Sequence, residues 1–280
     1  MSEGQQQTPA AVEPGPPSFH ALACLPGVEL AWRRVDAAGS DRPGIVWLGG
    51  FRSDMLSTKA ERIAGFAREH GRGFLRFDYS GHGESGGRFE DGTIGGWTAE
   101  SVEMIRALSS GPQILVGSSM GGWIALLAAR ALAAAGEADR LAGMVLIAPA
   151  VDFTEELMWA AFAEDIRQDL LTKGVWMRPT QYAPEPYAVT MRLIEEGRNN
   201  LLFGQPVRSH CPVQILQGME DPDVPWRHAM KLVEHMAGDP VAITLVKDGD
   251  HRLSRDEDIA RLLDAIANLP EQAGAGGREQ

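Results

Sequence analysis

The chain has 280 residues, of which 44% are hydrophobic and 23% are charged, and its formal net charge is -12. This length and composition are typical of a globular α/β domain and argue against a disordered chain. The negative charge argues against binding to nucleic acid or to an anionic membrane, and no apolar run approaches the ~20 residues of a membrane span.

The two ends of the chain differ in composition from its middle. Residues 1–17 contain four prolines and three glutamines, but no arginine and no apolar core of a signal peptide. These residues and the Ala/Gly-rich residues 271–280 are predicted to be flexible tails. No targeting segment is recognised, and two cysteines are too few for a secreted disulfide framework, so a cytoplasmic location is predicted.

Between the tails, short apolar runs alternate with helical patterns. The predicted strands are residues 28–34, 44–49, 74–79, 113–117, 143–148, 213–217 and 241–247. The predicted helices are residues 58–71, 96–108, 120–135, 226–236 and 255–268. Continuous apolar runs indicate strands that are buried on both faces, so the pattern predicts a mostly parallel, open α/β sheet with helices on both faces. A capping box of Thr58 and Glu61 is expected to begin the first helix.

One interval, residues 151–210, interrupts this alternation. No clear strand is predicted there, and glycine and proline residues separate its short helical patterns. An insertion of this length exceeds what a connection between two strands requires, so a helical cap over a functional site is predicted. Its apolar residues between 157 and 162 would pack the cap on the core or line an acyl pocket. Residues 18–150 and 211–270 then form the core.

The pattern G-x-S-x-G, typical of a nucleophile elbow, occurs at residues 83–87 and again at 117–121. An elbow requires a strand that turns sharply into a helix, so that the serine hydroxyl is exposed above the sheet. Ser119 follows the predicted strand 113–117 and precedes a strong helix former, whereas Ser85 lies between glycine-rich turns. Ser119 is therefore the candidate nucleophile.

A nucleophilic serine needs a base that is oriented by an acid, and in an elbow protein the chain order is serine, acid, histidine. His251 follows the last predicted strand in a loop, where an open α/β sheet places its ligand site. His228 lies within a predicted helix and is interpreted as a surface residue. The preceding strand is followed by Asp221, the preferred acid, and by Asp223, an alternative. Asp152 is a weaker alternative after an earlier strand.

Acyl transfer also requires donors for an oxyanion, and two backbone amides are expected to supply them. One belongs to Met120, which follows the nucleophile. The other belongs to Phe51, in the loop after strand 44–49, although Phe51 could equally form a pocket wall. Arg52, Arg178 and Arg252 could meet a substrate carboxylate but are interpreted as surface charges. Neither a metal ion nor an organic cofactor is expected.

Together, these motifs resemble the α/β-hydrolase-domain family over nearly the whole chain. The resemblance rests on residues 76–81, 111–119, 121–123, 173–176, 224–226 and 250–252. It implies the α/β-hydrolase fold and a triad of Ser119, Asp221 and His251. It also implies cleavage of carboxylic esters or thioesters of small molecules or acylated proteins, including acyl-protein thioesters and acyl glucuronides. Perhydrolysis or C–C bond hydrolysis on the same triad, and a non-catalytic binding module, are the alternatives; the oligomeric state is not predicted.

Overall fold

The computed structural model describes residues 15–39, 41–180 and 184–269. Most of the predicted tail 1–17 and all of the predicted tail 271–280 lie outside these residues. The strands are β1 (Ser18–Ala21), β2 (Glu29–Val35), β3 (Gly44–Leu48), β4 (Phe74–Phe77), β5 (Gln113–Ser118), β6 (Leu141–Ile147), β7 (Val175–Arg178), β8 (Tyr187–Thr190), β9 (Val213–Gly218) and β10 (Val241–Val246). The α-helices are α1 (Thr58–Glu69), α2 (Ile94–Leu108), α3 (Met120–Ala134), α4 (Glu164–Lys173), α5 (Met191–Gly197), α6 (Trp226–His235) and α7 (Asp256–Ala267).

Eight of the strands form one sheet in the order β1-β2-β4-β3-β5-β6-β9-β10. Neighbouring strands are parallel from β4 to β10, whereas β1 and β2 add an antiparallel edge. All seven predicted strands lie in this sheet, and the predicted mostly parallel α/β class is confirmed. In the part of the chain that the structure describes, no helix is long and apolar enough to cross a membrane.

Two apolar clusters cover the two faces of the sheet. Successive residues of a strand point to opposite faces. In β3, Val46 accordingly belongs to one cluster with residues of α2 and α3, and Ile45 belongs to the other with residues of α1 and α7. Helix α3 is largely buried, and its first residue, Met120, comes two residues after the carboxyl end of β5. This packing holds the turn between β5 and α3 in a rigid environment.

The segment between β6 and β9 contains two strands that the sequence did not predict. Strands β7 and β8 pair antiparallel with each other and form a separate two-stranded sheet. The expectation that residues 151–210 hold no strand was therefore wrong. Each strand has only four residues and β7 is only partly buried, so neither shows the continuous apolar run of the central strands. The division into core and cap stays a prediction.

Helix α1 begins at Thr58 as predicted, but the expected capping box is absent. Ser57 is the N-cap residue, and its side chain makes no capping hydrogen bond. Glu61 instead accepts a hydrogen bond of 2.6 Å from the buried Arg76 guanidinium. Burying a charge is costly unless the charge is paired, so the Arg76 guanidinium draws the Glu61 carboxylate away from the helix end.

Candidate active site

The turn between β5 and α3 places Ser119 at the carboxyl edge of the sheet. Its backbone angles are φ 54° and ψ -119°, in a region that non-glycine residues rarely adopt. Such a conformation costs on the order of 1–3 kcal/mol and persists only where the surroundings impose it. Here the Ser119 amide donates to Ile147 O at 2.8 Å, and the Ser119 carbonyl accepts from the Gly122 and Ala150 amides. These bonds hold the side chain in a partly exposed position above the sheet.

Glycine residues make this turn sterically possible. A Cβ on Gly121 would lie 2.0 Å from Leu48 O, and a Cβ on Gly117 would lie 2.4 Å from Gly121 O. A Cβ on Gly50 would be 3.4 Å from Ser119 Cβ. The loop after β3 therefore approaches the serine closely, as a backbone donor for an oxyanion must.

Gly121→Ala is expected to lower the free energy of unfolding by about 1–3 kcal/mol, because the added methyl group would overlap a backbone carbonyl that cannot move independently. Gly65→Ala in α1 is the matched control, since its Cβ would meet nothing within 4 Å. The control should gain about 0.5–1 kcal/mol from helix propensity. Urea unfolding followed by circular dichroism measures both, and equal effects of the two substitutions would contradict the steric argument.

His251 and Asp221 are brought together by the parallel pairing of β9 and β10. The loops after these strands are joined by backbone bonds from Met219 N to Val246 O and from Glu220 N to Gly249 O, both 2.9 Å. His251 Nδ1 lies 2.8 Å from Asp221 Oδ2. The histidine side chain is 19% exposed, whereas that of Asp221 is fully buried.

The Asp221 carboxylate is held on both oxygens. Its Oδ1 accepts hydrogen bonds of 2.8 Å from the Asp223 and Val224 amides. Its Oδ2 accepts from Gln217 Nε2 at 3.3 Å in addition to contacting His251. A carboxylate fixed in this way sets the tautomer of the facing imidazole, with the proton on Nδ1. Asp223, the alternative acid, has a carboxylate oxygen within 4.8 Å of the same pair.

A second histidine, His82, contacts the loop after β3. The Arg52 amide donates to His82 Nε2 at 3.2 Å, and His82 Nδ1 lies 3.2 Å from Ser80 O. Burial lowers the pKa of His82 to about 4, so the ring is neutral at pH 7, with Nδ1 as donor and Nε2 as acceptor. The Arg52 amide is thus occupied, whereas the Phe51 amide makes no hydrogen bond within the described part of the chain. The Phe51 amide is therefore available as a donor.

One cavity of about 960 Å³ is lined by the candidate residues Phe51, Ser119, Met120, Asp223 and His251. Apolar residues of the segment between β6 and β9 form another part of the wall, namely Phe153, Leu157 and Met158. The remaining charged lining residues are cationic: Arg52, Lys59, Arg178 and Arg252. The interpretation of the three arginines as plain surface charges was therefore incomplete, and Lys59 was not singled out from the sequence at all.

Residues that sequence patterns offered as alternatives have other contacts. Ser85 Oγ accepts from the Ala31 amide at 2.8 Å and donates to Asp78 O at 2.7 Å. Asp152 is buried, and its carboxylate accepts from the amides of residues 202 and 203. His228 is buried rather than on the surface, with Nε2 2.7 Å from Val151 O. Each of these side chains stabilises a turn or a helix contact.

Strained backbone is concentrated at the same edge of the sheet. Five non-glycine residues with positive φ follow β3, β5, β6 or β10: Arg52, Ser119, Ala148, Asp152 and Leu253. Such conformations cluster at functional sites, where the surrounding structure imposes them. The strain therefore coincides with the loops that surround the cavity.

The sequence profile of the α/β hydrolase family matches residues 43–265. The chain belongs to the α/β-hydrolase family. This hydrolase is 36% identical over 241 residues to human palmitoyl-protein thioesterase ABHD10, mitochondrial, covering 86% of its own length and 76% of that protein. The bovine protein of the same name is 34% identical over 253 residues, which are 90% of the hydrolase and 79% of that relative.

Solved structures confirm the fold of the hydrolase. A crystal structure of a protein from Agrobacterium vitis S4 has a TM-score of 0.85 and 46% sequence identity, covering 90% of the hydrolase and 98% of that chain. Mouse α/β hydrolase domain-containing protein 10 has a TM-score of 0.79 and 31% identity, covering 90% of the hydrolase and 97% of that chain. The family resemblance predicted from sequence motifs is thereby confirmed.

Proposed function

We propose that this hydrolase cleaves carboxylic esters or thioesters through an acyl-enzyme formed on Ser119. The observation that carries the proposal is the strained Ser119 in one cavity with His251, whose Nδ1 lies 2.8 Å from a fully buried Asp221 carboxylate. A serine hydroxyl alone is a weak nucleophile, and an oriented imidazole beside it supplies the base.

In the proposed first half-reaction, Ser119 Oγ attacks the acyl carbonyl and transfers its proton to His251 Nε2. Asp221 accepts the Nδ1 proton in a hydrogen bond and stabilises the imidazolium that forms. The Met120 and Phe51 amides donate to the oxyanion. Met120 is suited to this role because the first amide of a helix has no acceptor within the helix.

His251 then protonates the departing alcohol or thiol, and the carbon–oxygen or carbon–sulfur bond breaks as the carbonyl reforms. In the second half-reaction, His251 deprotonates a water molecule that attacks the acyl-enzyme. The tetrahedral intermediate collapses, Ser119 regains its proton, and the carboxylic acid leaves. Ser119, His251, Met120 and Phe51, which act in these steps, all line the cavity, whereas Asp221 is buried.

The wall of the cavity supports a substrate with an apolar acyl chain. Phe153, Leu157 and Met158 provide apolar surface, and the volume of about 960 Å³ is near the upper end of small-molecule sites. The names of the human and bovine relatives favour a thioester of an acylated protein. We therefore include acyl-protein thioesters among the proposed substrates, beside small-molecule esters and acyl glucuronides. The human and bovine relatives are named as mitochondrial proteins. For this hydrolase a cytoplasmic location stays a prediction.

A fluorophosphonate probe tests the proposal directly, because it phosphonylates a serine that an adjacent base activates. Native protein should be labelled stoichiometrically, and mass spectrometry should place the adduct on the peptide that contains Ser119. The Ser119→Ala variant should remain unlabelled. Equal labelling of the two proteins, or no labelling of native protein, would refute the assignment. Acyl thioesters and p-nitrophenyl esters of graded chain length would then define the acyl preference.

A further inference from the structure

The buried lysine Lys59 contacts the loop that carries His251. Lys59 lies in the first turn of α1 and is 8% exposed, and it also lines the cavity. Its Nζ donates to Arg252 O at 2.5 Å and to Ser254 Oγ at 3.3 Å. Both acceptors follow His251 within three residues, so the ammonium group joins α1 to the histidine loop.

The loop after β10, which carries His251, contains one residue with a left-handed backbone conformation. Leu253 has a φ of 44°, and its amide donates to Asp250 Oδ1 at 2.9 Å. Ser254 Oγ in turn donates to Arg252 O at 3.0 Å. The carbonyl of Arg252 therefore accepts from both the lysine and the serine, and Lys59 is the donor that comes from outside the loop.

Keeping a lysine here is thermodynamically unfavourable for the fold. Within the described residues Lys59 makes no ion pair, so no carboxylate contact offsets the removal of its charge from water. The pKa of Lys59 is lowered from 10.5 to about 8, chiefly because burial disfavours the charged form; Asp250 opposes the shift, Arg252 adds to it and Asp258 opposes it. A destabilising charged group in the wall of a cleft is characteristic of functional rather than structural residues.

We propose that Lys59 is a positioning residue, whose ammonium group holds the loop after β10 so that His251 faces Ser119. The inference rests on the proposed function. A charged donor forms a stronger hydrogen bond to a carbonyl than a neutral donor does, and an apolar side chain would offer no donor at all. Lys59 takes no proton in the reaction and acts through the position of the imidazole.

Lys59→Met tests this role, because methionine has a similar length but no charge and no donor. We expect kcat on a short p-nitrophenyl ester to fall at least about tenfold, with KM changed less than about threefold, since orientation of the base affects the chemical step. The melting temperature at pH 7 should stay equal or rise, because the variant no longer buries a charge.

The pH dependence of that stability follows from the pKa. Because the folded pKa lies below the unfolded value, the charge destabilises the native state fully below about pH 8. The penalty disappears as the pH rises from about 8 toward 10.5. Any gain in melting temperature of Lys59→Met should accordingly be present in full at pH 7 and much smaller near pH 10.

The controls separate this inference from the proposed function. Lys173→Met removes an exposed lysine paired with Asp169 and should leave kcat unchanged. Lys59→Arg keeps a cationic donor and should recover part of the lost rate.

All rates are divided by the number of sites that the fluorophosphonate probe labels. Suppose that the wild type is labelled. The role of Lys59 alone is then overturned if Lys59→Met has an unchanged rate per site, or if its melting temperature at pH 7 is several degrees lower than that of the wild type. An unlabelled wild type overturns the proposed function and this inference with it.

Discussion

Replacing Ser119 by alanine is expected to lower kcat for ester hydrolysis by about 10⁴- to 10⁶-fold, because among the described residues that line the cavity Ser119 alone combines a hydroxyl with a backbone of positive φ. KM should change little, since the hydroxyl contributes to bond formation more than to substrate binding. The amides of Met120 and Phe51 remain in the variant, so a residual rate above that in water is expected. Steady-state kinetics with a p-nitrophenyl ester measures both constants.

Ser85→Ala is the matched control, since Ser85 is the second serine in a G-x-S-x-G pattern. Its hydroxyl bonds the Ala31 amide and Asp78 O, so its loss should cost stability by about 1–2 kcal/mol. The rate per folded molecule should stay within a few-fold of wild type. A large loss of kcat in Ser85→Ala together with an active Ser119→Ala would reverse the assignment of the nucleophile.

Asp221→Asn is expected to lower kcat by about 10⁴-fold near neutral pH. Asparagine preserves the shape of the side chain, but it cannot stabilise the imidazolium, and its amide group favours the imidazole tautomer with the proton on Nε2. That tautomer cannot accept the proton of Ser119. The side chain is fully buried, so bulk solvent cannot compensate for the missing charge. Fluorophosphonate labelling should slow in the same proportion as kcat.

Asp223→Asn distinguishes the two candidate acids. The Asp223 amide, rather than its side chain, donates to Asp221, and this backbone bond survives the substitution. We expect kcat within about tenfold of wild type, with any change in KM reflecting the place of Asp223 in the cavity wall. If Asp223→Asn were the more damaging substitution, Asp223 would be the acid and the hydrogen bond between Asp221 and His251 would serve structure only.

The choice between Asp221 and Asp223 shows the limit of sequence patterns at this site. The two carboxylates are separated by one proline, and either could reach a neighbouring loop. The turn favours Asp221 in the proposed triad, because it folds the amides of residues 223 and 224 back onto Asp221 Oδ1 and leaves Oδ2 2.8 Å from His251 Nδ1. Spacing also favoured Asp221, but it gave no physical reason for the choice.

The central strands, the helices that follow them and the strand-to-helix turn at Ser119 could be predicted from the sequence by itself. Strands that are buried on both faces need continuous apolar runs, and a tight strand-to-helix turn needs small residues at fixed offsets, so both features leave local patterns. The tertiary structure alone decided which distant groups meet. Lys59 contacts a carbonyl 193 residues away, His82 accepts from the Arg52 amide, and β7 pairs with β8 outside the main sheet. Such contacts depend on how the strands pair and how the loops pack at one edge, and a single buried lysine or histidine carries no local pattern that would predict its partner.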